Sequence, residues 1–394
     1  MLPVHRTKNP KKLKDMQLNK GSAMKVSPRR NRKALVIGGG APNSTLIAGA
    51  LAAFLAEGVE FDVISASGAG VLMGLLATAP RDASPQAALM QWAEVGVADS
   101  IYKLFPVNYK VFKKPGAQAE SYRDAMLNQF QQMPGLAASP FAAMFSQHFA
   151  DASAKWNDWM HLMMSALSPS DLHSGSLGLC AHLPFLEQSI DFSAVPRMAP
   201  EFYINAYNLD RHRMQIWSKD QITPAHVRAS LSFPFLYAPT EIDGEHYIEG
   251  AALDTLNFTP FITDPETGVA PASEVDTLVV LDILGEDRLI RKPRNLYDAW
   301  VRSIITPLVK ISQTEQRLFE LEHNRDPLTG APLRQVLKVD LMAGVPQDHW
   351  PQVLDWSASN MQLLFQVGYR AGVDFCRQHG ELLGAQAQDA PLAA

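Results

Sequence analysis

Cysteine is nearly absent from this chain: Cys180 and Cys376 are the only two among 394 residues. Two thiols cannot build a disulfide framework, and nothing near either spaces like a zinc site. A reducing, cytoplasmic compartment is therefore expected. No run of about 20 uncharged apolar residues exists to cross a bilayer. The N-terminus lacks the apolar core of a secretion signal, because Lys and Arg interrupt it throughout. The eleven histidines include no pair at metal-ligand spacing on a recognisable helix, so neither a metal nor a cofactor is expected. What remains is a chain that is 47% hydrophobic, with ample material for a large core.

Charge is abundant only at one end. Residues 1–33 carry eleven Lys/Arg, from Arg6 to Lys33, against the single acid Asp15. The net charge of the whole chain is −5, so the rest of it is strongly acidic. An arm with so few large apolar residues is expected to be disordered. It reads either as a solvated leader or as an electrostatic tether to anionic lipid, each basic residue near such a surface contributing about 1 kcal/mol. No aromatic residue interleaves these charges, which ranks nucleic acid last among its partners.

Regular structure is expected from Ala34. Ala34-Leu35-Val36-Ile37 is a short, wholly apolar run that stops at Gly38-Gly39-Gly40, as a buried parallel strand would. Residues 44–57 read as a helix capped by Ser44 and ended by Gly58. Phe61-Asp62-Val63-Ile64 is the next strand. It runs into Ser65-Ala66-Ser67-Gly68-Ala69-Gly70, with a second helix following. Strand, glycine turn, helix, strand, small-residue turn, helix is the opening of a doubly wound α/β sheet.

From about 84 to 186 no strand signal is evident. Phe145, Phe149, Trp156, Trp159, Met160, Met163 and Met164 recur near helical spacing, which suggests a helical insertion; its apolar stripe reads as core or as a lipid-facing lid. Strands resume at 202–206 and 213–217, then at 277–283 and 336–341. A closing helix is expected over 357–379.

Three segments carry candidate chemistry. The glycine turn Gly38-Gly39-Gly40 opens a helix whose free N–H groups could hold an oxyanion or a phosphate. A dinucleotide site would want a third glycine where Asn43 stands, and a P-loop would want a lysine there, so the nucleotide reading is weak. The tight turn after Ile64 has the form of a nucleophile elbow, or of a strand–helix junction without chemistry. The stretch Val227–Asn257 contains Ala229-Ser230-Leu231-Ser232-Phe233-Pro234, a hairpin turn at Asp243-Gly244, and Glu249-Gly250-Ala251 at a strand end. A carboxylate released there by a glycine is well placed to act as a base.

Taken in this order, the three segments resemble the patatin-like phospholipase family over roughly Ala34 to Leu281. The resemblance implies a three-layer α/β/α fold with a mostly parallel central sheet, a Ser-Asp dyad without histidine, an oxyanion hole at Gly38, Gly39 and Gly40, and hydrolysis of lipid acyl esters. It divides the chain into a basic arm (1–33), a core (34–285) and a mostly helical C-terminal part (286–394). Three departures stand out. The family's Gly-Gly-Gly-x-Arg/Lys-Gly becomes Gly38-Gly39-Gly40-Ala41-Pro42-Asn43, without the basic residue. The dyad aspartate becomes Glu249, with Asp254 in reserve, although the turn at Gly250 is expected to carry Asp254 away from the sheet end. The Gly-x-Ser-x-Gly elbow can be placed in two ways. In one, Gly68 holds the nucleophile position and the site is dead. In the other, shifted by one residue, Ser67 is the nucleophile between Ser65 and Ala69, with Gly70 following. The first implies an inactive lipid-binding scaffold. The second implies a serine acyl hydrolase in which Ser67 and Glu249 lie within hydrogen-bonding reach, peripheral to an anionic membrane through its arm.

Overall fold

Strand β1, Lys33–Ile37, is buried at all five positions because it is central to the sheet. It lies parallel to β2 (Val63–Ala66) on one side and β7 (Thr277–Leu281) on the other. The apolar runs expected to share one parallel sheet do so. The computed structural model that shows this describes residues 31–40, 44–94, 96, 99, 183–234, 239–263, 270–294 and 296–385. The basic arm up to residue 30 and most of the expected helical insertion lie outside the described residues. Only the ends of that insertion are described: α3 (Pro85–Ala93) and α4 (Leu183–Ser189).

The sheet has eight strands in the order β5-β6-β3-β2-β1-β7-β8, with β4 paired to β3 off that path. The added strands are β3 (Glu201–Asn208), β4 (Arg213–Ser218), β5 (Thr240–Ile242), β6 (Glu245–Glu249) and β8 (Gln335–Lys338). The pairs β1–β2, β1–β7, β2–β3 and β7–β8 are parallel; β3–β4, β3–β6 and β5–β6 are antiparallel. Strand β8 is shorter than the 336–341 expected. Its ladder ends where Val339 donates its N–H to Val280, and the chain then turns. The turn at Asp243-Gly244 has positive φ at both residues (53° and 78°), the hairpin geometry their sequence favours.

One detail of the topology positions the candidate site. Strand β4 pairs with β3 from Tyr203 to Asn208 and so fills one of its edges. The other edge is shared. Strand β2 takes Glu201–Ile204, and β6, running the opposite way, takes Ala206–Asn208. The end of β6 at Glu249 is thereby aimed head-on at the end of β2.

One face of the sheet, with Leu35, Ile37 and Ile64, packs against helices; the other, with Ala34, Val36 and Val63, packs among the described residues against Leu256, Phe258, Phe261 and Phe319. Helix α1 (Ser44–Ala56) is buried from Ser44 to Phe54 and packs on α7 (Ala358–Leu383) at backbone distance. A Cβ built on Gly368 would strike the carbonyl oxygen of Leu46, and one on Gly49 would strike that of Phe365. Backbone cannot retreat as a side-chain tip can. Gly368→Ala is therefore expected to cost about 3 kcal/mol in urea unfolding. Gly380→Ala, whose Cβ would meet only Ala385 at 3.9 Å, should leave stability unchanged or raise it by about 0.5 kcal/mol. The described residues also form α2 (Ala69–Thr78), α5 (Pro224–Leu231) and α6 (Leu296–Leu318).

Candidate functional site

The ends of β1, β2 and β6 meet at one place, and a strap of chain, residues 254–257, runs beneath them. Strand β2 does not stop at Ala66. The Ser67 N–H still donates to Ile37 at 3.0 Å, extending the parallel ladder by one residue. Side chains alternate along an extended strand, so Ser65 and Ser67 face the same way. That face is the strap. Ser65 Oγ donates to the Asn257 carbonyl at 2.6 Å, and Ser67 Oγ donates to the Asp254 carbonyl at 2.8 Å. Both serines are fully buried.

The turn comes one residue later. Gly68 has φ 51° and ψ −132°, a conformation in which a non-glycine residue is strained, and it caps α2. The Gly70 and Val71 N–H groups close the turn on the carbonyls of Ser67 and Gly68, both at 3.0 Å. Gly68, not Ser67, is therefore the apex of the elbow. A Cβ built on Gly68 would run into Glu249 Oε1 and lie 2.8 Å from the Ala251 Cβ. The Glu249 carboxyl fills the space into which a side chain at the apex would project.

The two expected partners take different places in this arrangement. Among the described residues no hydrogen bond joins Ser67 to Glu249, because the strand's alternation turns Ser67 to the strap while Glu249 approaches the apex from β6. Ser65 lies on the strap face and Ala69 opens α2. The glycine turn is also less open than expected. Gly38 N–H donates to Leu281 at 2.9 Å and Gly39 N–H to Thr255 at 3.2 Å, so the sheet and the strap consume two of the three donors. Gly40, at φ 124°, is the turn's remaining candidate donor. Asp254 is not carried away at Gly250. A single helical turn, Gly250–Ala252, folds the chain back, with the Asp254 N–H on the Gly250 carbonyl at 2.8 Å.

Glu249 is 8% exposed, and its carboxyl makes no hydrogen bond among the described residues. Burial pushes its pKa up to about 8, so the neutral acid dominates at pH 7. Behind it, burial and the nearby Glu315 charge push Asp254 well up; its one side-chain donor is Asn205 Nδ2 at 3.4 Å. Glu315 comes from α6. Its Oε2 accepts from Thr255 N–H at 2.9 Å, Thr255 Oγ1 at 2.7 Å and Leu256 N–H at 3.2 Å.

Asn205, Thr255, Asn257 and Glu315 are site residues that the sequence patterns do not reveal. For Asn205 a signal exists, an amide in the middle of a buried strand. Glu315 sits 60 positions from Thr255 on an ordinary amphipathic helix, and nothing local marks it. Among the described residues no cluster of three His, Cys, Asp or Glu side chains could hold a metal, and no helix is long and apolar enough to cross a membrane.

A glycine turn after a central parallel strand, a tight turn at the end of its neighbour and a carboxyl aimed at that turn lie together at the strand ends of a mostly parallel α/β sheet. The patatin-like phospholipase family model matches residues 35–262, more than half of the chain, and the chain belongs to that family. No curated protein sequence matches it. Among solved structures it is similar to VipD from Legionella pneumophila, at 11% identity and a TM-score of 0.34, over 89% of this chain and 67% of that one. It is also similar to a chain of the heterodimeric ExoU–SpcU complex from the type III secretion system of Pseudomonas aeruginosa, at 15% identity and a TM-score of 0.31, over 91% of this chain. The match spans about half of that chain's length, 53%. At TM-scores this low, neither likeness bears on the site.

Proposed function

We propose that this chain binds lipid acyl groups at the strand ends of a patatin-type site and forms no acyl-enzyme on serine. The observation that carries this reading is Gly68 at the apex of the elbow, with the Glu249 carboxyl occupying the place of a nucleophile's side chain. A serine hydrolase needs a hydroxyl in contact with a base and beside oxyanion donors. Ser67 has its hydroxyl committed to Asp254, and two turn N–H groups are committed to protein carbonyls. An uncharged carboxyl beside glycines and Ala251 suits an apolar or ester-bearing ligand better than an anion.

Titration with a fluorescent long-chain acyl methyl ester, followed by displacement with an unlabelled monoacylglycerol, tests the binding. Saturable binding that Ser67→Ala leaves within about twofold supports the reading. Absence of any saturable binding overturns it.

The basic arm belongs to the same proposal as a tether to anionic lipid. Deleting residues 1–30 should abolish salt-sensitive sedimentation with acidic liposomes and leave the melting temperature unchanged. Equal sedimentation with and without the arm would exclude the tether.

A further inference from the structure

The family match ends at residue 262, yet the most heavily bonded side chain at the site comes from α6, well beyond it. Glu315 Oε2 alone receives three donors from Thr255 and Leu256, in the middle of the strap. The strap in turn holds each piece of the site. The Thr255 carbonyl takes the Gly39 N–H, the Asp254 carbonyl takes Ser67 Oγ, and the Asn257 carbonyl takes Ser65 Oγ. Asn257 itself is fully buried, and among the described residues neither polar atom of its side-chain amide has a partner, so its polar tie to the site is its backbone carbonyl. Remove Glu315 and the buried Thr255 N–H and Oγ1 lose this acceptor, while the Leu256 N–H keeps only its bond to the Asp254 carboxyl, at the point where the strap carries the glycine turn.

We propose that Glu315 is a positioning residue of the site, clamping the strap 254–257 and through it the glycine turn and the elbow backbone. This role does not depend on whether the site hydrolyses esters or only binds them.

The groups facing Glu315 are few. From the strap come Thr255 and Asp254. From the end of β7 comes Asp282, which accepts from Lys338 Nζ at 2.6 Å and from Ser312 Oγ at 2.9 Å. Burial, opposed by the Thr255 and Leu256 hydrogen bonds and aided by the Asp282 charge, sets the Glu315 pKa at about 7 instead of 4.5. A carboxyl raised in the closed strap and ordinary in the opened one favours closure fully below about pH 4.5 and loses that contribution as pH rises through about 7. The clamp thus loosens with rising pH.

Hydrogen exchange of the full chain, read by mass spectrometry as protection factors from pH 5 to 9, tests the clamp without any ligand. In the wild type, protection of the peptides containing Gly39 and Thr255–Leu256 should fall as pH rises through about 7. Glu315→Gln keeps an acceptor oxygen and cannot ionise, so protection there should persist and its pH step should flatten. Glu315→Ala should lose about tenfold or more of that protection at every pH, while β1 and β7 core peptides keep theirs. A Gln variant that retains the wild-type step, or an Ala variant with unchanged strap protection, would overturn the proposal. Loss in Glu315→Ala that is uniform across the sheet would do the same, since it would mark a general stability effect. Failure of lipid binding would leave these exchange results untouched.

Discussion

Gly68→Ser combined with Glu249→Asp should create an ester hydrolase, with the parent chain expected to show no such activity. The apex at φ 51° and ψ −132° is the strained geometry that presents a nucleophile at a helix start. A serine there would place its Cβ against Glu249 Oε1. Shortening Glu249 by one methylene withdraws the carboxyl and makes room for the hydroxyl beside it. The double variant is expected to hydrolyse a p-nitrophenyl ester at least about 10²-fold faster than the parent, the low end of what one positioned proton-transfer partner contributes. Gly68→Ser alone should gain less and should lose stability by about 2 kcal/mol, because its side chain and the longer carboxyl compete for one space. Ser67→Ala in either background should leave the rate unchanged. A double variant that folds and shows no gain would mean that Gly68 is not at a nucleophile position.

Glu249→Gln should change how stability depends on pH. The folded state holds this carboxyl at about 8, raised by burial from 4.5. A raised acid favours the fold fully below about pH 4.5, and that favour disappears as pH rises through about 8. The wild type should therefore lose about 3 to 5 kcal/mol of stability between pH 5 and pH 9 from this group, with Asp254 and Glu315 adding in the same direction. Gln has nearly the same volume and no charge. The variant should match the wild type within about 1 kcal/mol at pH 5 and exceed it by about 2 kcal/mol or more at pH 9. Urea unfolding at the two pH values reads the difference. Parallel pH profiles for the two proteins would mean that Glu249 is solvated at the elbow.

The opening of the fold was legible because short apolar runs ending in small residues state both a strand and its stop. Ala34–Ile37 and Val63–Ile64 do so, and both lie in the parallel centre of the sheet. Thr223-Pro224 likewise announces α5, which runs Pro224–Leu231. The identity of the elbow's apex was open in the sequence, although a period of two along β2 bears on it: Ser65 and Ser67 must share a face, and the strap covers that face. Which face it would cover depends on residues about 190 positions away. Glu249 was legible as a strand-end carboxyl. Its collision course with Gly68 was not, because it follows from β2 and β6 sharing one edge of β3. The clamp from Glu315 was invisible for the same reason: long-range registry leaves no local pattern. Within the Met- and Trp-rich stretch, residues 101–182 lie outside the described residues, so its reading as a helical insertion rests on sequence there.

Covalent labelling shows whether the elbow carries a serine nucleophile, which the proposed function denies. Wild-type protein should be incubated with a fluorophosphonate probe, digested and mapped, with the double variant Gly68→Ser, Glu249→Asp as the positive control. Label is expected in the double variant alone, on the serine introduced by Gly68→Ser, and none on the wild-type peptide spanning Val63–Thr78. Stoichiometric label on Ser67 of the wild type would contradict the proposed function and would restore a Ser67–Glu249 hydrolase.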